Sequence, residues 1–222
     1  LYGLDKNRGL DLVLHTPGGD LAATQSIVDY LYSFFSGDVR IIVPHTAMSA
    51  GTMMACAAKE IVMGKHSNLG PIDPQIGGMP ANEFIDLLGE AKEDLQAGKN
   101  TEYWKMTLSK YPPTFFGICK NAIEASKKIV IHWLERSMLA GEAADEITKT
   151  VEYLSDYHSH LQHNTRLTID NLRENTALKI INLEDDQQFQ ENIYLKLKLF
   201  FDQHQLKQSN LNLKQHILFL IM

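Results

Sequence analysis

Between Leu10 and Gly64, three short apolar runs alternate with two segments of helical pattern, and this alternation limits the chain more than any other feature. The runs are "LDLVLHT", "VRIIVP" and "EIVMG". The first is β-rich and stops at Pro17, Gly18 and Gly19. Asp20 then stands where a helix N-cap belongs, and Leu21, Ile27, Val28, Leu31 and Phe35 form a stripe facing a core. Gly37 and Asp38 break that helix before the second run. "SAGTMMACAA" predicts another helix, built of small residues that let it pack closely on a neighbour. Strands separated by helices need crossover connections, and crossovers produce parallel pairing, so the class is α/β.

The remainder is mainly helical. A loop rich in Gly, Pro and Asn, "KHSNLGPIDPQIGGMP", closes the third run. "ANEFIDLLGEAKEDLQAG" predicts an amphipathic helix ending at Gly98, and "KNTEYWKMTLSKYPP" reads as a polar, aromatic stretch. Long helical patterns follow in "FFGICKNAIEASKKIVIHWLERSML" and "EAADEITKTVEYL". "LTIDNLRENTALKIINLEDD" predicts a short helix, a turn and a strand, and "QQFQENIYLKLKLFFDQHQ" a closing amphipathic helix. The Gln/Asn-rich "KQSNLNLKQH" predicts loose order.

Composition removes several classes of function. At 222 residues and 44% hydrophobic the chain can bury one substantial core. A net charge of −6 gives no bulk attraction to nucleic acid or acidic lipid. Cys56 and Cys119 lie in apolar helical patterns and read as buried thiols of a reducing compartment. No apolar run approaches the roughly 20 residues of a membrane span, and the tail "ILFLIM" is far shorter. The chain opens on Leu1 just before a strand, so the reading expects further sequence upstream.

Chemistry concentrates at two turns. In "PHTAMSAGT" a single serine, Ser49, sits where a strand hands over to a helix. A serine nucleophile needs a base and needs donors aimed at the developing oxyanion. A strand-to-helix turn projects the side chain and offers free N–H groups at the helix start. The pattern is not the G-x-S-x-G elbow, because Ala47 replaces its first glycine. Taken by itself, "SAG" is equally a place for tight helix packing. "HTPGGD" is a tight turn, a phosphate cradle or an oxyanion hole; without G-x-G-x-x-G or a Walker lysine, nucleotide binding has little support.

The order Thr16-Pro17-Gly18-Gly19-Asp20, then Met48-Ser49-Ala50-Gly51-Thr52, then Leu69-Gly70-Pro71-Ile72-Asp73-Pro74-Gln75 resembles serine peptidases of the Clp/crotonase fold. The likeness is nearest to the serine dehydrogenase proteinase family, relatives of signal peptide peptidase A. It is close from about Leu10 to Pro80 and looser over the helical half, where Arg166 and Thr168 are the recognisable points. It implies an α/β fold of stacked β-β-α units in a superhelix with a helical C-terminal half. It implies a peptidase domain over residues 1–185, with 186–222 as an amphipathic helix and polar tail. It also implies peptide-bond hydrolysis by Ser49, with the oxyanion held by Gly18, Gly19 and Ala50 and with no cofactor or metal.

The base is less legible. Clp peptidases take a histidine from the strand after the nucleophile helix, but "SNLGPIDPQ" has none. The signal peptide peptidase branch uses a lysine, which must be buried to be neutral. Lys92 is the first candidate, by its interval after Pro80; Lys110 and His66 are the rivals. His158, His160 and His163 have a spacing that metals use, but no cysteine or carboxylate cluster completes a site, and the reading places them on a solvated face. The resemblance further implies a peptide or protein substrate, a homo-oligomer and a cytoplasmic setting, with membrane association only through upstream sequence. The rival functions are a subunit that has lost catalysis and an acyl-CoA-processing enzyme of the same fold.

Overall fold

The computed structural model describes residues 5–160, 162–203 and 218–221. Strand β1 (Leu10–His15) leads through the Pro-Gly-Gly turn to α1 (Leu21–Phe35), where the Asp20 carboxylate accepts from the Ala23 N–H at 2.8 Å. This is the expected N-cap, and Val28, Leu31 and Phe35 are buried as the stripe requires. The chain continues through β2 (Val39–Val43), β3 (Thr46–Ala47), α2 (Ala50–Cys56), β4 (Glu60–Met63) and β5 (Asn68–Leu69). A small hairpin, β6 (Gln75–Ile76) and β7 (Met79–Pro80), precedes α3 (Ala81–Gln96), α4 (Thr101–Leu108) and α5 (Phe115–Arg136). Then come α6 (Ala144–Ser155), α7 (Tyr157–His160), α8 (Ile169–Asn175), β8 (Ile180–Asn182), α9 (Gln187–Gln203) and β9 (Leu218–Ile221).

The main sheet has the order β8-β4-β2-β1-β9. Its first four strands are parallel, as the crossovers demand, and β9 runs antiparallel to β1. The residues of the apolar tail therefore supply an edge strand. Buried parallel strands are apolar on both faces, which explains why the runs are nearly continuous rather than alternating. Leu12, Leu14, Ile41, Val43, Ile61 and Met63 face the large core shared with α1, α2, α5, α6 and α8. Val13, Ile42 and Val62 face the other way, against Leu183 and Ile193 on the segment that ends in α9.

One helical feature departs from the sequence reading. The stretch "KNTEYWKMTLSKYPP" contains α4, whose one buried residue, Trp104, donates its indole N–H to Asp94 on α3 at 2.9 Å. Docking, rather than a strong local pattern, makes this turn helical. Helix α5 serves two cores: Val130, Trp133 and Leu134 enter the main one, while Phe115, Phe116 and Cys119 join Phe84 of α3 in a smaller aromatic cluster. Both cysteines are free and buried, in keeping with the thiol reading. Among the described residues no helix is long and apolar enough to cross a membrane. The stretch "KQSNLNLKQH" lies outside the described residues.

Candidate active site

A second, smaller ladder runs beside the ends of the main strands. Thr16 bridges Ala47, Ala47 pairs Leu69 within β3 and β5, and Leu69 bridges Leu167. Each of these residues is followed or preceded within a few positions by a candidate group. Two residues beyond Thr16 is Gly18, two beyond Ala47 is Ser49, four beyond Leu69 is Asp73, and four before Leu167 is His163. The ladder therefore carries four segments to one region.

The Pro-Gly-Gly and Met-Ser-Ala-Gly turns are laced together. Thr16 N–H donates to Thr46 O at 3.1 Å, and Met48 N–H to Thr16 O at 3.0 Å. The Thr16 hydroxyl accepts from the Gly18 N–H at 3.0 Å and lies 3.2 Å from the Gly18 carbonyl. At Gly18, φ is +115°, and a Cβ there would lie 3.0 Å from Ser49 Cβ and 3.5 Å from its Oγ. Glycine is needed at this position for both conformation and space. Gly51 is constrained by space alone, since a Cβ would fall 2.4 Å from Thr16 Cγ2. The third motif enters through Thr52, whose buried hydroxyl lies 2.8 Å from Ala47 O and 2.9 Å from Gly70 O, and accepts from Gly70 N–H at 3.0 Å.

Ser49 occupies φ 52°, ψ −116°, outside the regions an L residue ordinarily uses. Such conformations cost about 1–3 kcal/mol and persist where the surroundings over-determine them, often at functional sites. Here the constraint comes from both sides: the Met48 N–H is tied to Thr16, and Ser49 O accepts the first helical bond from Met53 at 3.0 Å. The Ser49 hydroxyl bonds no described residue. The N–H groups of Gly19 and Ala50 likewise donate to no described residue, whereas that of Gly18 is engaged by Thr16.

The candidate bases have very different surroundings. Lys92, on α3, and Lys110, after α4, are exposed, and so is His66. None of the three pairs with a described residue. Neither lysine has the burial that a neutral amine base requires. His163 is half-buried, and its Nδ1 lies 2.8 Å from Asp73 Oδ1, with the Asp73 side chain fully buried. The sequence reading had set His163 on a solvated face. Its partner lies 90 positions earlier in "LGPIDPQ", and nothing local announces such a pair. Of the other histidines of that cluster, His160 is also buried, against the expectation, with Nε2 2.6 Å from Tyr153 O, whereas His158 is exposed as expected, 3.8 Å from Asp86. Among the described residues, no group of three or more metal-ligating side chains gathers.

Two more histidines flank the turns. His15, ending β1, and His45, just before β3, have ring centroids 5.6 Å apart. His15 Nδ1 is buried with no hydrogen-bond partner among the described residues, and burial, then the neighbouring His45, lowers the pKa of the ring.

Two uncharacterized proteins of Methanocaldococcus jannaschii, MJ0137 and MJ1495, are each 29% identical to the chain, over 195 and 191 residues respectively. The matches cover 88% and 86% of this chain but 59% and 56% of those proteins, so it spans under two thirds of the curated relatives' length. No solved structure matches it significantly. Residues 4–213 match one family throughout, including all three motifs that interlock at Ser49, and the chain therefore belongs to the ClpP-like SDH-type serine proteinases.

Proposed function

We propose that this chain hydrolyses peptide bonds as a serine endopeptidase, with Ser49 as nucleophile, His163 as general base and Asp73 orienting the base. The observation that carries the reading is the strained Ser49 turn pressed against Gly18, on the ladder that also brings in the Asp73–His163 pair. His163 takes the role in place of Lys92, because a buried carboxylate holds one ring nitrogen while Lys92 stands in solvent.

The chemistry follows from the hydrogen bonds. An ionised carboxylate only accepts, so His163 Nδ1 carries the proton given to Asp73 Oδ1, which leaves Nε2 with the basic lone pair. Nε2 takes the proton of Ser49 Oγ as that oxygen attacks the scissile carbonyl carbon. The oxyanion is received by the N–H groups of Gly19 and Ala50, with Gly18 shaping the approach. The imidazolium then gives its proton to the leaving amine, and water repeats the sequence to free the acyl group. Removing one oxyanion donor costs about 10²–10³ in rate, and a positioned base contributes about 10²–10⁴. The steps need no cofactor. The two ladders also suit the stacked β-β-α arrangement of this fold.

Labelling by a fluorophosphonate probe tests the assignment. Ser49→Ala should abolish labelling, His163→Ala should slow it by at least about 10², and Lys92→Met should leave it unchanged. Labelling retained in Ser49→Ala overturns the nucleophile. Normal labelling in His163→Ala together with loss in Lys92→Met restores the lysine base.

A further inference from the structure

The Asp73 carboxylate has a different partner on each oxygen. Oδ1 meets His163 Nδ1 at 2.8 Å, and Oδ2 accepts from Gln75 Nε2 at 3.0 Å. Among the described residues no lysine or arginine pairs with this fully buried group. Gln75 is exposed, and its backbone holds it in place. It opens the β6–β7 hairpin opposite Pro80, and Ala81 N–H closes the hairpin base onto Pro74 O at 2.9 Å. The amide must present its N–H side, since the carboxylate has nothing to donate.

We propose that Gln75 is a positioning residue for the peptidase reaction, fixing the rotation of the Asp73 carboxylate so that Oδ1 stays on His163. The inference rests on the reading of His163 as base. The terminal torsion of a carboxylate is broad and roughly two-fold, so a single bond to His163 leaves it free to swing. Gln75 pins the second oxygen. Its N–H dipole also draws off part of the negative potential that His163 feels. Without that donor the full charge of the buried carboxylate falls on the imidazole. Among the titratable groups near His163 in the chain, Tyr157, His158 and His160 lie on α7 and the exposed Arg166 follows in the loop. Tyr157 donates to Glu83, His158 faces Asp86, and His160 is occupied by Tyr153. None of them meets Asp73 Oδ2, which leaves Gln75 as its donor.

The test is the phosphonylation of the full chain by a fluorophosphonate, with kinact and KI separated across about pH 5–9, for wild type, Gln75→Leu, Gln75→Glu and His163→Ala. In Gln75→Leu, kinact should fall about 10-fold with KI unchanged. Its rising acid limb should move to higher pH. Gln75→Glu is nearly isosteric but cannot donate when ionised, so it should show the same displacement, and its charge beside the buried Asp73 should also lower the melting temperature. Wild-type kinact and an unmoved limb in both Gln75 variants would overturn the inference, while an inactive His163→Ala would leave the peptidase reading standing. Wild-type kinact in His163→Ala overturns both. A lower kinact tracked only by a lower melting temperature, with the limb in place, makes Gln75 structural and also overturns the inference.

Discussion

Replacing Gly18 by alanine should damage both the stability and the reactivity of Ser49, and the size of each effect can be worked from the turn. At φ +115° an L side chain is strained, which costs about 1–3 kcal/mol. The new Cβ would also sit 3.0 Å from Ser49 Cβ and 3.2 Å from Met48 O, so those atoms must give by a few tenths of an ångström. Forced packing of this kind costs about 1–3 kcal/mol, for a total of about 2–6 kcal/mol. In a chain of this size that is a fall in melting temperature of about 4–24 °C. The right control is Gly77→Ala at the hairpin tip, where φ is +62° and a Cβ would meet nothing within 4 Å. That change carries only the conformational cost, about 1–2 kcal/mol. The difference between the two variants reports the contacts with Ser49 and Met48 together with the harsher φ at Gly18. Displacing the nucleophile should also slow fluorophosphonate labelling by about 10-fold or more, whereas Gly77→Ala should label normally. Thermal melts and labelling rates on the two proteins decide the matter. If Gly18→Ala melts with Gly77→Ala and labels within a few-fold of wild type, the two turns do not meet as described.

Ser49→Gly and Ser49→Ala should both be inactive, but the glycine variant should be more stable by about 1 kcal/mol, because only glycine adopts the positive φ without strain; equal melting temperatures would argue against strain at this turn. The lowered pKa of His15 makes the protein acid-sensitive. Below the ordinary value of 6.5 the unfolded chain binds the proton more readily than the folded one, so stability is fully present above that value and is lost as pH falls toward the depressed folded pKa. His15→Gln should flatten the decline in melting temperature on acidification, and an unchanged slope would remove His15 as its source. Burial pushes the Cys56 thiol up to about 12 and shifts Cys119 upward too, so neither should react with a thiol reagent at neutral pH until the chain unfolds; rapid modification of the native protein would contradict their burial.

What the sequence determined by itself is what local spacing can encode. Three apolar runs separated by helix-forming segments leave little but parallel strands with crossovers, and the structure has them as β1, β2 and β4. Asp20 at an N-cap and Ser49 at a strand-to-helix turn are properties of a few consecutive residues, legible for the same reason. Which groups accompany Ser49 was decided by tertiary structure. Asp73 and His163 lie 90 positions apart, and they meet because Leu69 and Leu167 bridge in the second ladder. A one-dimensional pattern carries no register between segments so distant, and what it offers as a base is a lysine at a plausible interval. Lys92 falls on the exposed side of α3, beside the buried Ala91, a fact set by which face of that helix packs on α5. The helix around Trp104 and the edge strand Leu218–Ile221 were hidden in the same way. Short segments of weak intrinsic preference take their conformation from the surface they dock on, and that surface exists only once the rest of the chain has folded.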